Sequence, residues 1–153
     1  MPDIHTAIDI DAPPEAVWEV LTDTDAYPAW NPHVVRFGGT LAVGERATVT
    51  VRQSGRENSI GVRVTECDRP HRLEWVGKLG LGALFLGTHT FELEPLDGGA
   101  RTRFVNTESS RGVLAGFVVE PDARAAYEAM NEALKARVED GVEAEADPEI
   151  IVD

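Results

Sequence analysis

The chain has 153 residues, 42% of them hydrophobic, enough for one domain with a core of its own and no need of disulfides or metals to hold it together. Its formal net charge of −13 sets it against nucleic acid and anionic membrane, both of which it would repel. It contains no run of eighteen apolar residues and no basic-then-apolar leader, so a soluble, unexported, cytoplasmic protein without membrane insertion is expected.

Cys67 is the single cysteine, which rules out an intramolecular disulfide and makes a cysteine-based metal site a poor prospect. Lys78 and Lys135 are the two lysines, all other basic positions being arginine. An acidic, lysine-poor surface stays hydrated in concentrated salt, while a GC-rich coding bias with ordinary acidity gives the same composition. Both readings stay open.

Taken in order, His5 to Ala12 alternates, with Thr6, Ile8 and Ile10 on one face and Ala7, Asp9 and Asp11 on the other, the pattern of a half-buried strand. From Pro14 the period turns helical. Val17, Val20 and Leu21 share a face, Trp18 widens it, and Glu15 sits in the first turn where the helix dipole favours it. The helix should end near Asp23. Thr24 to Trp30 reads as a second short helix, capped by Thr24 or Asp25 and stopped by Pro32.

Strands follow one another after Pro32. Val34 to Phe37 closes at Gly38 and Gly39; Arg46 to Gln53 alternates through Ala47, Val49 and Val51; Ser54 to Glu57 is a turn; Ser59 to Cys67 alternates through Ile60, Val62 and Val64; and Asp68 to Pro70 breaks the pattern. Arg72 to Lys78 places Leu73 and Trp75 on one face, Leu79 to Leu86 reads as a glycine- and leucine-rich loop, and Thr88 to Glu94 and Arg101 to Ser109 flank the turn Asp97-Gly98-Gly99. That turn between two alternating runs is the strongest hairpin signal in the chain.

Pro121 to Asp140 is a single long helix. Ala123, Tyr127, Met130, Leu134 and Val138 form its apolar stripe, Arg124, Glu128, Glu132, Lys135 and Glu139 its wet side, and Gly141 is the expected stop. Seven strands joined by short turns pair antiparallel, and the stripe needs a broad partner. The fold class is therefore α+β, a curved antiparallel sheet wrapped around the long helix. Residues 1–142 form one domain, and 143–153 is expected to be a disordered acidic tail, with Ile150, Ile151 and Val152 able to dock.

This order resembles the START-like, SRPBCC or helix-grip superfamily, and its polyketide cyclase/dehydrase branch in particular. The resemblance rests on IDIDAPPEAVWEVLTD at the start, YPAWNP at Tyr27 to Pro32, HRLEWVG at His71 to Gly77, GTHTFELEP at Gly87 to Pro95, FVNTESSRG at Phe104 to Gly112 and MNEALKARVE at Met130 to Glu139. It implies a hydrophobic cavity between the helix and the concave face of the sheet, suited to a lipid, polyketide or other small apolar ligand, with no fixed cofactor. Inference from fold to reaction is analogy.

Strand parity says which residues face such a cavity. Phe85, His89, Phe91 and Leu93 share one side of their strand, Thr102, Phe104, Asn106 and Glu108 one side of the next, and Val62, Val64 and Glu66 one side of a third. A cavity walled by Trp75, Phe91, Phe104, Tyr127 and Met130 would have His89, Asn106 and Glu108 as its few polar groups, which is the usual make-up of a small-molecule site. Tyr27, Trp30 and Asn31 could form its mouth, or serve only as a tryptophan plug and a helix stop.

Were the chain an enzyme, His89 and Glu108 would be the acid/base pair, because aldol cyclisation and dehydration take a proton from a carbon beside a carbonyl and deliver another to oxygen. The bland reading is an inert, hydrogen-bonded histidine and a solvated glutamate. Leu79 to Leu86 and Val113 to Val119 could together form a gate or a homodimer patch, the second being otherwise an extra turn of helix. No phosphate-cradling glycine loop, paired histidines at metal spacing or nucleophile elbow is present. Three function classes remain: a binder that carries or senses a small hydrophobic ligand, a cyclase-like enzyme, and a co-chaperone-like interaction module.

Overall fold

Alternation of apolar and polar side chains builds a seven-stranded antiparallel sheet in the computed structural model, which describes residues 3–53, 55–79, 85–112 and 123–146. In chain order the elements are β1 (Asp3–Ile10), α1 (Pro14–Thr22), a 3₁₀ turn (Thr24–Ala26), α2 (Tyr27–Trp30), β2 (Val34–Gly39), β3 (Arg46–Gln53), β4 (Arg56–Asp68), β5 (Arg72–Leu79), β6 (Phe85–Leu96), β7 (Arg101–Arg111) and α3 (Ala123–Ala146). The sheet order is β1-β7-β6-β5-β4-β3-β2, so β2 to β7 form a meander and β1 joins it beside β7. This is the expected helix-grip arrangement.

Each element is where its pattern puts it, with informative exceptions. The strands run longer than expected because their ends still pair beyond the alternating runs: β4 starts at Arg56, opposite Gln53, and β6 starts at Phe85, opposite Leu79. No side-chain cap holds the 3₁₀ turn or α2. The segment is pinned instead by Tyr27, fully buried, whose hydroxyl donates to the Leu21 carbonyl. Val113 to Val119 and most of Leu79 to Leu86 lie outside the described residues.

Gly141 does not end the long helix, which continues to Ala146. An internal glycine costs about 1 kcal/mol against alanine; Val142, one residue on, packs against the core and offsets that cost. Four residues assigned to the tail are therefore helical, and residues 147–153 lie outside the described set.

A second correction concerns β4. The register shifts between Val64, opposite Trp75, and Glu66, opposite Glu74, so Thr65 is an extra residue. Such a bulge reverses which face the following residues take. Glu66 turns outward to Arg72, at 3.0 Å, and Cys67 turns in to pack on the core with its Sγ 3.6 Å from the Leu41 carbonyl. Glu66 thus leaves the face it was expected to share with Val62 and Val64.

The core sits between the sheet and the helices. Val17, Trp18 and Leu21 of α1, Phe37, Val49, Val64, Leu73, Phe91, Leu93 and Phe104 of the sheet, and Met130, Leu134 and Val138 of α3 form one cluster. Each fully buried aliphatic of α3 contributes roughly 1.5–3 kcal/mol. Polar side chains fasten the same helix to strand β1: Arg124 donates to the His5 carbonyl at 2.9 Å, Lys135 to the Asp9 carbonyl at 3.0 Å, and the Asp11 N–H donates to Glu139 at 2.8 Å. None of the described helices is long and apolar enough to cross a membrane.

Candidate functional site

The hairpin between β6 and β7 sets up the site. Asp97, Gly98 and Gly99 all take positive φ, at 52°, 69° and 98°, and from this turn the ladder runs unbroken from Leu96–Arg101 to Leu86–Arg111. It places Leu93 opposite Phe104, Phe91 opposite Asn106 and His89 opposite Glu108. A slip of one residue would send the three on the slipped strand to the other face. On the far side of β6, Trp75 of β5 stands opposite His89 and Leu73 opposite Phe91.

The aromatic side chains form a packed floor. Ring centroids lie 5.4 Å apart for Phe37 and Trp75, 5.2 Å for Trp75 and Phe91, and 5.8 Å for Phe91 and Phe104. Phe91, Phe104 and Met130 are fully buried. The polar groups sit beside this floor, under the N-terminal half of α3. Tyr127 stacks on the His89 imidazole at 5.0 Å with planes 7° apart, and its hydroxyl donates to Glu108 Oε1 at 3.0 Å.

A closed set of hydrogen bonds determines the state of His89. The Thr6 hydroxyl donates to the Asn106 carbonyl at 2.8 Å, the Asn131 amide donates to Thr6 Oγ1 at 2.9 Å, and the Asn106 Nδ2 donates to Asn131 Oδ1 at 2.9 Å. With its Nδ2 so committed, Asn106 presents Oδ1 to His89 Nε2 at 2.7 Å. His89 must therefore donate from Nε2, and its Nδ1 carries the lone pair. That lone pair lies 3.6 Å from Glu108 Oε1, outside hydrogen-bond reach.

Burial decides the charges. It lowers the His89 pKa to about 3, with the Asn106 bond opposing and nearby His33 adding to the shift. It raises the Glu108 carboxyl to about 7, the Tyr127 hydroxyl opposing, and pushes the Tyr127 phenol above its ordinary value, the Glu108 charge adding to this. Near neutral pH the pair is thus a neutral imidazole beside a carboxyl poised between its two forms. It is not an ion pair. Glu108 keeps 15% of its side chain exposed, which puts it at the rim. One inward position further along β7, the Ser110 hydroxyl is fully buried with no hydrogen-bond partner among the described residues.

Of the residues expected at the site, the structure brings together Trp75, His89, Phe91, Phe104, Asn106, Glu108, Tyr127 and Met130. Trp30 is set apart. Its ring meets Tyr27 edge-on at 5.5 Å and lines a surface groove of about 460 Å³ with Glu19, Val20, Thr22, Asp23, Ala26 and Arg137. Asn31 serves as a turn cap, its Oδ1 accepting from the His33 and Val34 N–H groups at 3.0 and 2.9 Å.

Three members of the cluster escape the sequence reading. His33 packs on Tyr127 at 4.9 Å, has its Nδ1 3.3 Å from the Arg52 carbonyl, and is kept neutral by burial, which lowers its pKa to about 4. Asn131 and Thr6 complete the hydrogen-bond loop. Asn131 alone left a signal, an amide four residues after Tyr127 on an otherwise apolar stripe. Among the described residues no group of histidine, cysteine and carboxylates could hold a metal.

A family model described as "Polyketide cyclase / dehydrase and lipid transport" matches residues 1–139, and the chain belongs to that family. No curated protein matches it in sequence. Solved structures share its fold. TTHA0849 from Thermus thermophilus is 18% identical with a TM-score of 0.71, over 92% of this chain and 99% of that one. A START superfamily protein from Mycobacterium smegmatis is 20% identical with a TM-score of 0.69, over 90% and 97%. The Zhui aromatase/cyclase from Streptomyces sp. R1128 is 21% identical with a TM-score of 0.66, over 92% and 95%.

Proposed function

We propose that this member of the polyketide cyclase/dehydrase and lipid transport family binds a small hydrophobic ligand, to carry or sense it, at the rim of the aromatic floor under the first half of α3. One observation carries the reading. A network of His89, Asn106, Asn131, Thr6, Tyr127 and Glu108, nearly all buried, stands against Trp75, Phe91, Phe104 and Met130 and ends at the rim in Glu108; the separate Ser110 hydroxyl, one inward position along β7, has no partner among the described residues. A core needs no such network for stability. A few convergent polar groups on an apolar wall suit a ligand. Native mass spectrometry of gently purified protein tests this. A copurified apolar molecule, lost on Glu108→Leu or Tyr127→Ala substitution, is the expected outcome. Protein that stays empty even after exposure to lipid and polyketide extracts would point to the interaction-module reading.

The proximity of His89 Nδ1 to Glu108 Oε1, 3.6 Å apart, favours a second reading, a cyclase- or dehydrase-like enzyme. A carboxyl titrating near neutrality can both accept a proton from carbon and return one to oxygen, and the adjacent imidazole offers a lone pair held in a fixed direction. A His89→Ala protein that binds as well as wild type and leaves every candidate turnover intact would eliminate this reading and leave the binder.

A further inference from the structure

We propose that the site takes a ligand whose buried end is electrically neutral, a hydroxyl or carbonyl group on an apolar body, and that it discriminates against carboxylates, phosphates and sulfates. The inference rests on the ligand-site reading above and gives it a substrate class.

The argument begins with the cations. The chain has 14 lysines and arginines. Every one falls among the described residues, and none is buried. Those on strands nearest the site take outward positions: Arg103 and Arg111 have the opposite parity to Glu108 on β7, and Arg103 pairs with Asp9 at 2.9 Å. Arg124, at the start of α3, spends its guanidinium on the His5 carbonyl. The segments beyond the described residues contain no lysine or arginine at all. Among the described residues no lysine or arginine reaches the inner face of the sheet.

The titratable groups there are few. Facing Glu108 are His89 from β6, Tyr127 from α3 and, across Tyr127, His33 from the turn before β2; its β1 neighbour is Ile4. Both imidazoles are neutral near pH 7, since burial holds their pKa values at about 3 and about 4. An anionic ligand would therefore meet a carboxyl and no counter-ion, and an unpaired buried charge is strongly disfavoured. A hydroxyl or carbonyl finds complementary groups: the Glu108 proton and the Ser110 hydroxyl as donors, and Ser110 Oγ and His89 Nδ1 as acceptors. Because burial raises Glu108 to about 7, affinity for a neutral ligand should fall as pH rises through that value, where the donor is lost and an uncompensated charge takes its place.

Isothermal titration calorimetry on the full chain with two matched pairs, decan-1-ol against decanoate and 2-naphthol against 2-naphthoate, tests the inference at neutral pH. The neutral member of each pair should bind at least about tenfold tighter, and its affinity should weaken between pH 6 and 8 in wild type but stay level in Glu108→Gln. If the acids bind as tightly as the alcohols, or more tightly, the neutral-ligand inference falls while the ligand site stands. If none of the four binds and native mass spectrometry finds the protein empty, the ligand site itself falls and the inference with it.

Discussion

The two halves of α3 do different work on the same sheet. Leu134, Val138 and Val142 pack into the main core with α1, apolar on apolar. Ala123 and Tyr127 belong to a small satellite cluster with Ile4, and Tyr127, Met130 and Asn131 lean over the polar network of Asn106, His89 and Glu108. The C-terminal half stabilises by burial, which needs only shape and volume. The N-terminal half desolvates an imidazole, a carboxyl and two amides, a cost that hydrogen bonds only partly offset. The contrast separates residues that hold the fold by burial alone from residues that, under the proposal above, would face a ligand.

The largest expected effect tests the anchoring half. Leu134→Ala should lose about 2–5 kcal/mol of stability in urea denaturation, with ligand affinity per folded molecule unchanged. Loss of affinity in the surviving folded protein would break the division.

Next comes the network. Asn106→Leu strands the His89 N–H and the Asn131 carbonyl, each of which costs about 1–3 kcal/mol when left unsatisfied. The ¹⁵N spectrum of His89 should show the Nε2–H tautomer in wild type and lose it in the variant. An unchanged tautomer would mean that Asn106 does not orient the ring.

A smaller effect follows from Glu108, and its sign is fixed. A carboxyl raised to about 7 from 4.5 holds its proton in the native state while the unfolded chain has released it, so stability falls as pH rises between those two values and levels off above. Glu108→Gln should raise the melting temperature relative to wild type at pH 8 and leave it unchanged below about pH 4.5. His33 and His89 work in the other direction: lowered from 6.5 to about 4 and about 3, they withdraw stability as pH falls below 6.5. A wild-type melting profile without losses on both sides would contradict this picture of a buried neutral cluster.

The smallest effect lies on the outer face, where Arg72 is ringed by Glu66, Glu74 and Glu92 at 3.0–3.3 Å. Arg72→Gln should cost at most about 1 kcal/mol, and less as salt screens the pairs. A larger cost would make the outer face a second anchor.

Much of this was legible in the residues. Period-2 alternation placed His89, Phe91, Phe104, Asn106 and Glu108 on one face, and the Gly98 turn gave the hairpin register that makes them neighbours. The stripe of α3 was legible for the same reason, since periodicity reports burial directly. The bulge at Thr65 was not: one extra residue leaves the alternation of Val62, Val64 and Glu66 intact on paper and is revealed only by the partner strand. Gly141 misled because its local helix cost is outweighed by the packing of Val142. His33 and Thr6 join the site through contacts between elements far apart in the chain, and no local pattern records those.

The stitching of α3 to β1 has a consequence for how copies of this protein meet. An edge strand with free backbone groups is a template for another chain's strand. Along β1 the carbonyls of His5 and Asp9, and the Asp11 N–H just beyond, are engaged by Arg124, Lys135 and Glu139 of a single helix. The same helix that covers the site therefore also guards a sheet edge against edge-to-edge aggregation. Strand addition is left to the opposite edge, β2, where the exposed Gly38 and Gly39, the latter at φ 137°, end a strand of six residues too short to make a good template.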